Sequence, residues 1–273
     1  MSALIPVAAR PKGVVAPGIA SQKFRMGRYL PPAELAPFLD HFWLVEWDLR
    51  GQPPFVQRTM PYPCVHVVFD ARRPGIFGVT TGAFECELAE AGKVCGLRFR
   101  AGAFRAFLGR AAHTITDQVL PMSAVFPWDD DAALRAVLAG ADDAAMVATA
   151  GSLLRGVLPP PDPHVEQIAA IVRKVESTPG LTQVEALAAD AGMSVRSLQQ
   201  LFSEYVGVSP KWVIRRFRVH EAADRLASGD DVDLAELALV LGYFDQAHFS
   251  SDFRKLVGQS PARYREQARG AQR

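Results

Sequence analysis

Several absences in this sequence of 273 residues narrow what it can be. It has three cysteines, Cys64, Cys86 and Cys95, and no C-x-x-C pair. An odd, low cysteine count suits reduced thiols in a cytoplasm better than a disulfide framework. No apolar run approaches the ~20 residues needed to span a bilayer, so no membrane partner is expected. The first 22 residues hold Arg10 and Lys12 but no compact apolar segment ending in a small-residue cleavage site; they read as a flexible arm rather than a signal peptide. G-x-S-x-G, the P-loop, the Rossmann glycine series and HExxH are all missing, so neither an enzyme nor a bound cofactor is expected. A strong excess of either charge is missing too: the formal net charge is +1.

What is present divides the chain. Leu158-Pro159-Pro160-Pro161-Asp162-Pro163 cannot continue a helix and favours an extended spacer. Before it, residues 53–100 alternate apolar and polar, as in Val65-His66-Val67-Val68-Phe69, and read as short antiparallel strands. Residues 101–157 turn alanine-rich with helical spacing, and nearly everything after the prolines reads as helix. The expected organisation is an arm (1–22), an effector-binding or dimerisation domain (23–157), a linker (158–163), an all-helical domain (164–267) and a tail (268–273). The fold class is therefore α+β and multidomain, a strand-rich, small barrel-like domain with helices followed by an all-α domain.

The helical half contains a repeat. Phe202-x4-Gly207-x-Ser209-Pro210 recurs as Phe253-x4-Gly258-x-Ser260-Pro261, and Ala188-x3-Gly192 recurs as Ala238-x3-Gly242. Each copy decodes as helix, tight turn, helix. Thr182-x-x-Glu185 predicts a capping box for the first helix of the first copy, and Asp233-x-x-Glu236 an acidic cap in the second. Gly192 and Gly242 stand where a helix must stop in the left-handed conformation. Ser194 and Asp245 are placed to cap the second helices, whose apolar stripes are Leu198, Leu201, Phe202 and Tyr205, and Phe249, Phe253 and Leu256. Ser209-Pro210 opens a further helix, with proline in its first turn.

Two helices joined by a glycine turn form a helix-turn-helix, whose second helix enters the DNA major groove. The predicted second helices present Arg196, Gln199 and Gln200, and Gln246, Ala247, Ser250 and Ser251. Arginine, glutamine and serine are residue types that pair with base edges. Basic and acidic side chains are equal in number over residues 164–273, but they are segregated. Arg196, Lys211, Arg215, Arg216 and Arg218 form one basic stretch and Arg254, Lys255, Arg263, Arg265, Arg269 and Arg273 another, with Glu221, Asp224, Asp230, Asp231, Asp233 and Glu236 between them. Two basic patches around an acidic bridge suit two phosphate-contacting units.

The run from Gly242 to Arg265, GYFDQAHFSSDFRKLVGQSPARYR, resembles the signature of AraC/XylS-type transcriptional regulators, and Leu187 to Arg218 resembles that family's less regular first motif. The resemblance covers roughly residues 164–267. It implies seven helices, with a long connector starting at Ser209-Pro210, and both reading helices on one face of double-stranded DNA. Ser251-Asp252 departs from the pattern, since many members have Arg followed by a small residue there. The DNA-binding set is Arg196, Gln199, Gln200, Lys211, Gln246, Ala247, Ser250, Ser251, Arg254 and Lys255. The part ahead of the helices resembles an uncharacterised N-terminal domain found before such motifs.

For that domain an apolar small-molecule effector is expected, bound near Trp43, Phe69, Cys64 and His66. An alternative has the domain only dimerise. A metal site built from the three cysteines with His41, His66 and His113 is not expected, because the spacing lacks a ligand pair. The partners implied are DNA, an effector, a second copy of the chain and, for an activator, RNA polymerase.

Overall fold

The computed structural model describes residues 4–8, 13–228 and 232–270, with side chains to residue 268. Arg10, Lys12, Asp230, Asp231, the Arg269 side chain and the end of the tail lie outside the described residues. Helix α1 (Pro17–Ala20) precedes strands β1 (Arg25–Tyr29), β2 (Leu39–Asp48), β3 (Phe55–Thr59), β4 (His66–Asp70), β5 (Gly75–Phe77), β6 (Phe84–Leu88) and β7 (Ala91–Phe99). Helix α2 (Arg105–Leu108), a 3-10 turn at Ala112–Ile115, strand β8 (Val119–Leu120), a second 3-10 turn at Met122–Ala124, α3 (Asp130–Leu138) and α4 (Asp143–Arg155) complete the first half. Seven helices follow among the described residues: α5 (Pro163–Ser177), α6 (Val184–Asp190), α7 (Val195–Tyr205), α8 (Pro210–Ala227), α9 (Leu234–Val240), α10 (Gln246–Val257) and α11 (Pro261–Gly270).

The first half is a six-stranded antiparallel sheet in the order β1-β2-β7-β4-β5-β8, with β3 and β6 paired separately. Period-2 alternation splits its side chains between two faces. Phe42, Leu44, Val67, Phe69, Cys95 and Leu97 face α3 and α4, which contribute Val137, Met146, Ala150 and Leu154. Trp47, Val68, Phe77 and Val94 face the other way, against Phe55, Phe84 and Leu88 of the two-stranded β3–β6 sheet. Asp129 and Asp142 cap α3 and α4 by accepting from the amides of Ala132 and Ala145, as acidic N-caps do.

Parts of the stretch expected to form a flexible arm are tied to the sheet domain: the Val7 amide donates to the Arg28 carbonyl, and the Ile5 carbonyl accepts from the Leu30 amide. Val15 is buried in a cluster with Met60, Phe253 and Tyr264, and its amide donates to the Arg58 carbonyl. The two valines and the alanine at 14–16 gave no periodic signal because their partners lie far away in sequence.

The helical half is organised around α8. Asp162 caps α5, accepting from the His164 amide, and Pro163 takes its first position. Val213, Ile214 and Phe217 of α8 join Leu187, Leu198 and Phe202 in one core, while Val219, Ala222, Ala223 and Leu226 join Leu237, Phe249 and Phe253 in the next. Ser194, Ser209, Asp233 and Asp245 cap α7, α8, α9 and α10 through their side chains. Gly192 and Gly242 adopt φ values of 66° and 71°, as the turns require. The expected capping box at Thr182 is not formed. Gln183 is the N-cap residue of α6, without a side-chain bond, and Thr182 is spent between the repeats: its carbonyl accepts from Arg218 and its side chain fills the space beside Gly242.

Phe202 and Phe253 are repeat equivalents and both are fully buried. Each substitution to alanine should cost about 3–5 kcal/mol from lost transfer energy plus a cavity. Urea titrations of the full chain followed by tryptophan fluorescence and far-UV circular dichroism should show both midpoints falling by similar amounts.

Candidate nucleic-acid interface

Helices α7 and α10 are amphipathic in the same sense. Leu198 and Phe202 anchor one and Phe249 and Phe253 the other, all with essentially no exposed surface. Their opposite sides are open. Arg196, Gln199 and Gln200 on α7 and Gln246, Ala247, Ser251, Arg254 and Lys255 on α10 are exposed, while Ser250 is half-buried. Arg196, Gln199 and Gln200 lie in the N-terminal half of α7 and Gln246, Ala247 and Ser251 in that of α10, where a recognition helix presents side chains to base edges, while Arg254 and Lys255 stand in the last turn of α10. Lys211 is exposed in the first turn of α8.

Of the other described cations of the two basic stretches, Arg263 is exposed and Arg215, Arg216, Arg218 and Arg265 are held by the fold. Arg215 is bonded to Asp252, Nη2 to Oδ2 at 2.5 Å and Nε at 3.2 Å, which ties α10 to α8. Asp252 is nearly buried, and its carboxylate raises the pKa of the Arg215 guanidinium through their hydrogen bond. The departure at Ser251-Asp252 therefore has a structural use: the acid locks the second motif to the connector. Arg265 donates to the Val232 carbonyl, and Arg218 stacks toward Tyr243 while donating to Thr182. Arg216 is 2% exposed, lies 4.4 Å from the Trp212 ring and donates to the Thr81 carbonyl at 2.6 Å. Burial lowers its pKa to about 10. Sequence reading grouped Arg215 and Arg216 with the phosphate-contacting cations because charge patterning cannot tell an exposed guanidinium from one consumed by a carboxylate or a carbonyl.

The N-terminal domain grips the C-terminal ends of both helices. At α7, Arg105 pairs with Glu204 at 2.8 Å, the His113 ring meets Ser203, and Thr116 Oγ1 donates to the Gly207 carbonyl at 2.6 Å. At α10, the Arg58 guanidinium, paired with Glu85 across the β3–β6 sheet, lies against Gly258.

Within the sheet, three of the four residues expected at an effector site come together. The Trp43 Nε1–H donates to His66 Nδ1 at 3.1 Å, and His66 Nε2 lies 3.4 Å from Cys64 Sγ. Indole nitrogen can only donate, so His66 Nδ1 accepts and its proton sits on Nε2, facing the sulfur. Phe69 is a correction to the expected set: it follows His66 by three positions and therefore points to the opposite face, into the core beneath α3 and α4. The wider aromatic run divides in the same way, with Phe42 beside Phe69 and Trp43, Trp47, Phe55, Phe77 and Phe84 on the β3–β6 side. The cysteines and histidines are also dispersed. Cys95 faces the first core, Cys86 meets Arg72, and His113 leaves for α7.

Burial, reinforced by the charge of Arg98, pushes His66 down to about 3, and His41 is lowered chiefly by burial. The unfolded chain binds protons at these rings from about pH 6.5 downward, and the folded chain does not until far lower. The contribution of His66 is fully present above that pH and is lost as the pH falls toward about 3, and His41 acts in the same direction. His66→Gln should therefore flatten the fall in melting temperature between neutral and acidic pH, read by thermal denaturation at a series of pH values. An unchanged slope would mean that His66 is not held neutral.

The arrangement defines a protein with two helix-turn-helix units sharing one central helix. Residues 187–267 match the family described as "Helix-turn-helix domain", and residues 27–121 match "Domain of unknown function (DUF6597)". The probable transcription factor PqrA of Proteus vulgaris is 31% identical over 84 residues, covering 31% of this chain and 68% of that protein. The HTH-type transcriptional activator RhaS of Pectobacterium atrosepticum is 34% identical over 82 residues, 30% of this chain and 29% of RhaS, so the similarity spans under a third of that relative's length. A transcriptional regulator with an AraC-type DNA-binding domain from Chromobacterium violaceum superposes with a TM-score of 0.35 at 24% identity, over 38% of this chain and 92% of that one. The chain belongs to the AraC/XylS-type family of transcriptional regulators. Among the described residues, no helix is long and apolar enough to cross a membrane.

Proposed function

We propose that this protein is a sequence-specific DNA-binding transcriptional regulator that inserts α7 and α10 into successive major-groove segments of double-stranded DNA. The observation that carries the reading is that both helices leave their N-terminal halves exposed, with Arg196, Gln199 and Gln200 on one and Gln246, Ala247 and Ser251 on the other, while their buried sides rest on one shared helix. Arg196, Gln199, Gln200 and Gln246 supply base-edge hydrogen bonds, Ala247 an apolar contact, and Ser250 and Ser251 short polar contacts. Lys211, Arg254 and Lys255 supply phosphate contacts, which position the protein without reading sequence. The residues on the two helices differ, so the preferred site is asymmetric and spans nearly two helical turns.

For the N-terminal domain, the geometry favours action through its docking on both motifs. Trp43, His66 and Cys64 bond to one another, as a filled structural cluster does. A small molecule that loosens or tightens this docking is the route by which an effector changes DNA affinity. Pairing of two copies, RNA polymerase contact for an activator and a cytoplasmic setting belong to the same reading.

Genome-wide mapping of bound DNA followed by footprinting on short duplexes tests the function directly. A perfectly palindromic site bound only by dimers, with one motif dispensable, would count against it. Gln199→Ala or Arg196→Ala should cost about 1–3 kcal/mol on the preferred site and relax preference at one or two base pairs. Lys255→Ala should instead weaken binding equally on all sequences and flatten the salt dependence. Equal losses on specific and random DNA for Gln199→Ala would remove Gln199 from the reading set. Titrating a metabolite library against full-length protein on DNA should reveal a compound that shifts affinity between about fivefold and a hundredfold. If no compound does so, the domain acts by docking or pairing alone.

A further inference from the structure

The two glycines at equivalent repeat positions, Gly207 and Gly258, are the two places where the N-terminal domain meets the ends of the reading helices. Both lie in the left-handed region, at φ 91° and 87°. A Cβ on Gly207 would stand 2.9 Å from Thr116 Oγ1 and 3.0 Å from the Ala112 carbonyl oxygen. A Cβ on Gly258 would run into the Arg58 guanidinium. Each glycine thus allows close approach of the same partner domain at the same point of its motif, although the two contacts use unrelated parts of that domain. One is the 3-10 turn after α2 and the other is the two-stranded β3–β6 sheet.

Each point is reinforced by side chains. Around Gly207 stand the Arg105–Glu204 pair, the His113–Ser203 contact and the Thr116 hydrogen bond. Around Gly258, Arg58 is held by Glu85, and Val15 and Met60 enter the core that contains Phe253, Val257 and Tyr264. Between the two points, buried Arg216 of α8 donates to the Thr81 carbonyl, and Thr81 is itself fixed by Asp117, whose carboxylate accepts from the Thr81 amide and hydroxyl, each at 2.6 Å. The domain therefore touches the first motif, the connector and the second motif, and all three contacts leave the exposed N-terminal halves of α7 and α10 uncovered.

We infer that the N-terminal domain is a two-point clamp that fixes the separation and phase of the two reading helices, with Arg58, Arg105, His113 and Thr116 as positioning residues. The inference rests on the proposed reading of DNA by both helices. A clamped pair meets one half-site spacing without further ordering, and any other spacing requires a grip to break. A released pair adapts to several spacings, because only α8 and the contacts around it still connect the motifs. Preorganisation of this kind sharpens selectivity by removing an ordering cost for one geometry alone.

The test uses full-length protein and a series of duplexes. The two preferred half-elements are first identified by selection from random DNA, and then separated by single-base-pair steps around one helical turn of ~10.5 bp. Wild type should bind one spacing best and fall between about fivefold and a hundredfold on moving two base pairs away. Arg58→Ala, and separately His113→Ala combined with Thr116→Ala, should flatten that profile while leaving base preference within each half-element unchanged. Arg105→Glu should also flatten it, and the swap Arg105→Glu with Glu204→Arg should restore it, which a purely structural role would not produce. Far-UV circular dichroism and melting curves establish that each variant is folded; one that unfolds is replaced by the charge-swap pair.

The clamp is overturned if folded variants keep the wild-type spacing profile, if they lose affinity equally at every spacing, or if wild type itself is indifferent to spacing. Failure of the underlying reading looks different. Selection from random DNA would then yield no half-elements at all, or only one.

Discussion

Helix α8 is buried along most of its length, with Lys211, Arg215 and Asp224 as its exposed positions, and that constraint organises the molecule. Its 18 residues supply the floor of both helix-turn-helix cores and, through Arg216, the attachment of the N-terminal domain. Burying an arginine is tolerable only when carbonyls or an acid receive its donors. The Thr81 carbonyl does so here, and the Trp212 ring covers one face of the guanidinium. A helix used this way cannot shift without disturbing three packed units at once. The motifs therefore behave less as beads on a string than as two lobes of one frame.

The division of labour along α7 and α10 follows from that frame. The C-terminal ends of α7 and α10 meet the sheet domain at Gly207 and Gly258, which leaves their N-terminal halves, with Arg254 and Lys255 in the last turn of α10, exposed to another molecule. Asp252 shows the same economy inside the second motif. Its carboxylate is withdrawn from the surface to bind Arg215, so one residue near the reading face serves the connector instead. The acid also removes a cation from the pool available to phosphate. This leaves Arg196, Lys211, Arg254 and Lys255 as the exposed basic residues of the proposed contact set.

The sheet domain solves a different problem. Its two faces are both covered, by α3 and α4 on one side and by the two-stranded β3–β6 sheet on the other. The polar chain Trp43–His66–Cys64 lies on the β3–β6 side and is satisfied internally, with burial and Arg98 keeping the imidazole neutral. The thiol of Cys64 is raised by burial, which keeps it protonated and unreactive at neutral pH. The domain's most conspicuous surface is therefore the one already engaged with the helices.

Much of the helical half was legible from sequence, because its signals are local. The capping residues Ser194, Ser209, Asp233 and Asp245, the turn glycines at 192 and 242, and the apolar stripes through Phe202 and Phe253 all act within a few residues of themselves. Backbone geometry and helical periodicity suffice to interpret such signals. The strand-rich character of the first half was legible for the same reason, through alternation. Tertiary structure alone decided the rest. Thr182 looks like a cap until its carbonyl is seen accepting from Arg218. Phe69 shares a strand with His66 but not a face. Arg215 and Arg216 read as free cations until Asp252 and Thr81 are brought to them. Val15 finds its core more than 200 residues away along the chain. Gly207 and Gly258 explain themselves locally as helix ends, yet what lies against each of them comes from the other domain. Contacts between residues distant in sequence leave no periodic trace in it, because they depend on how finished elements pack.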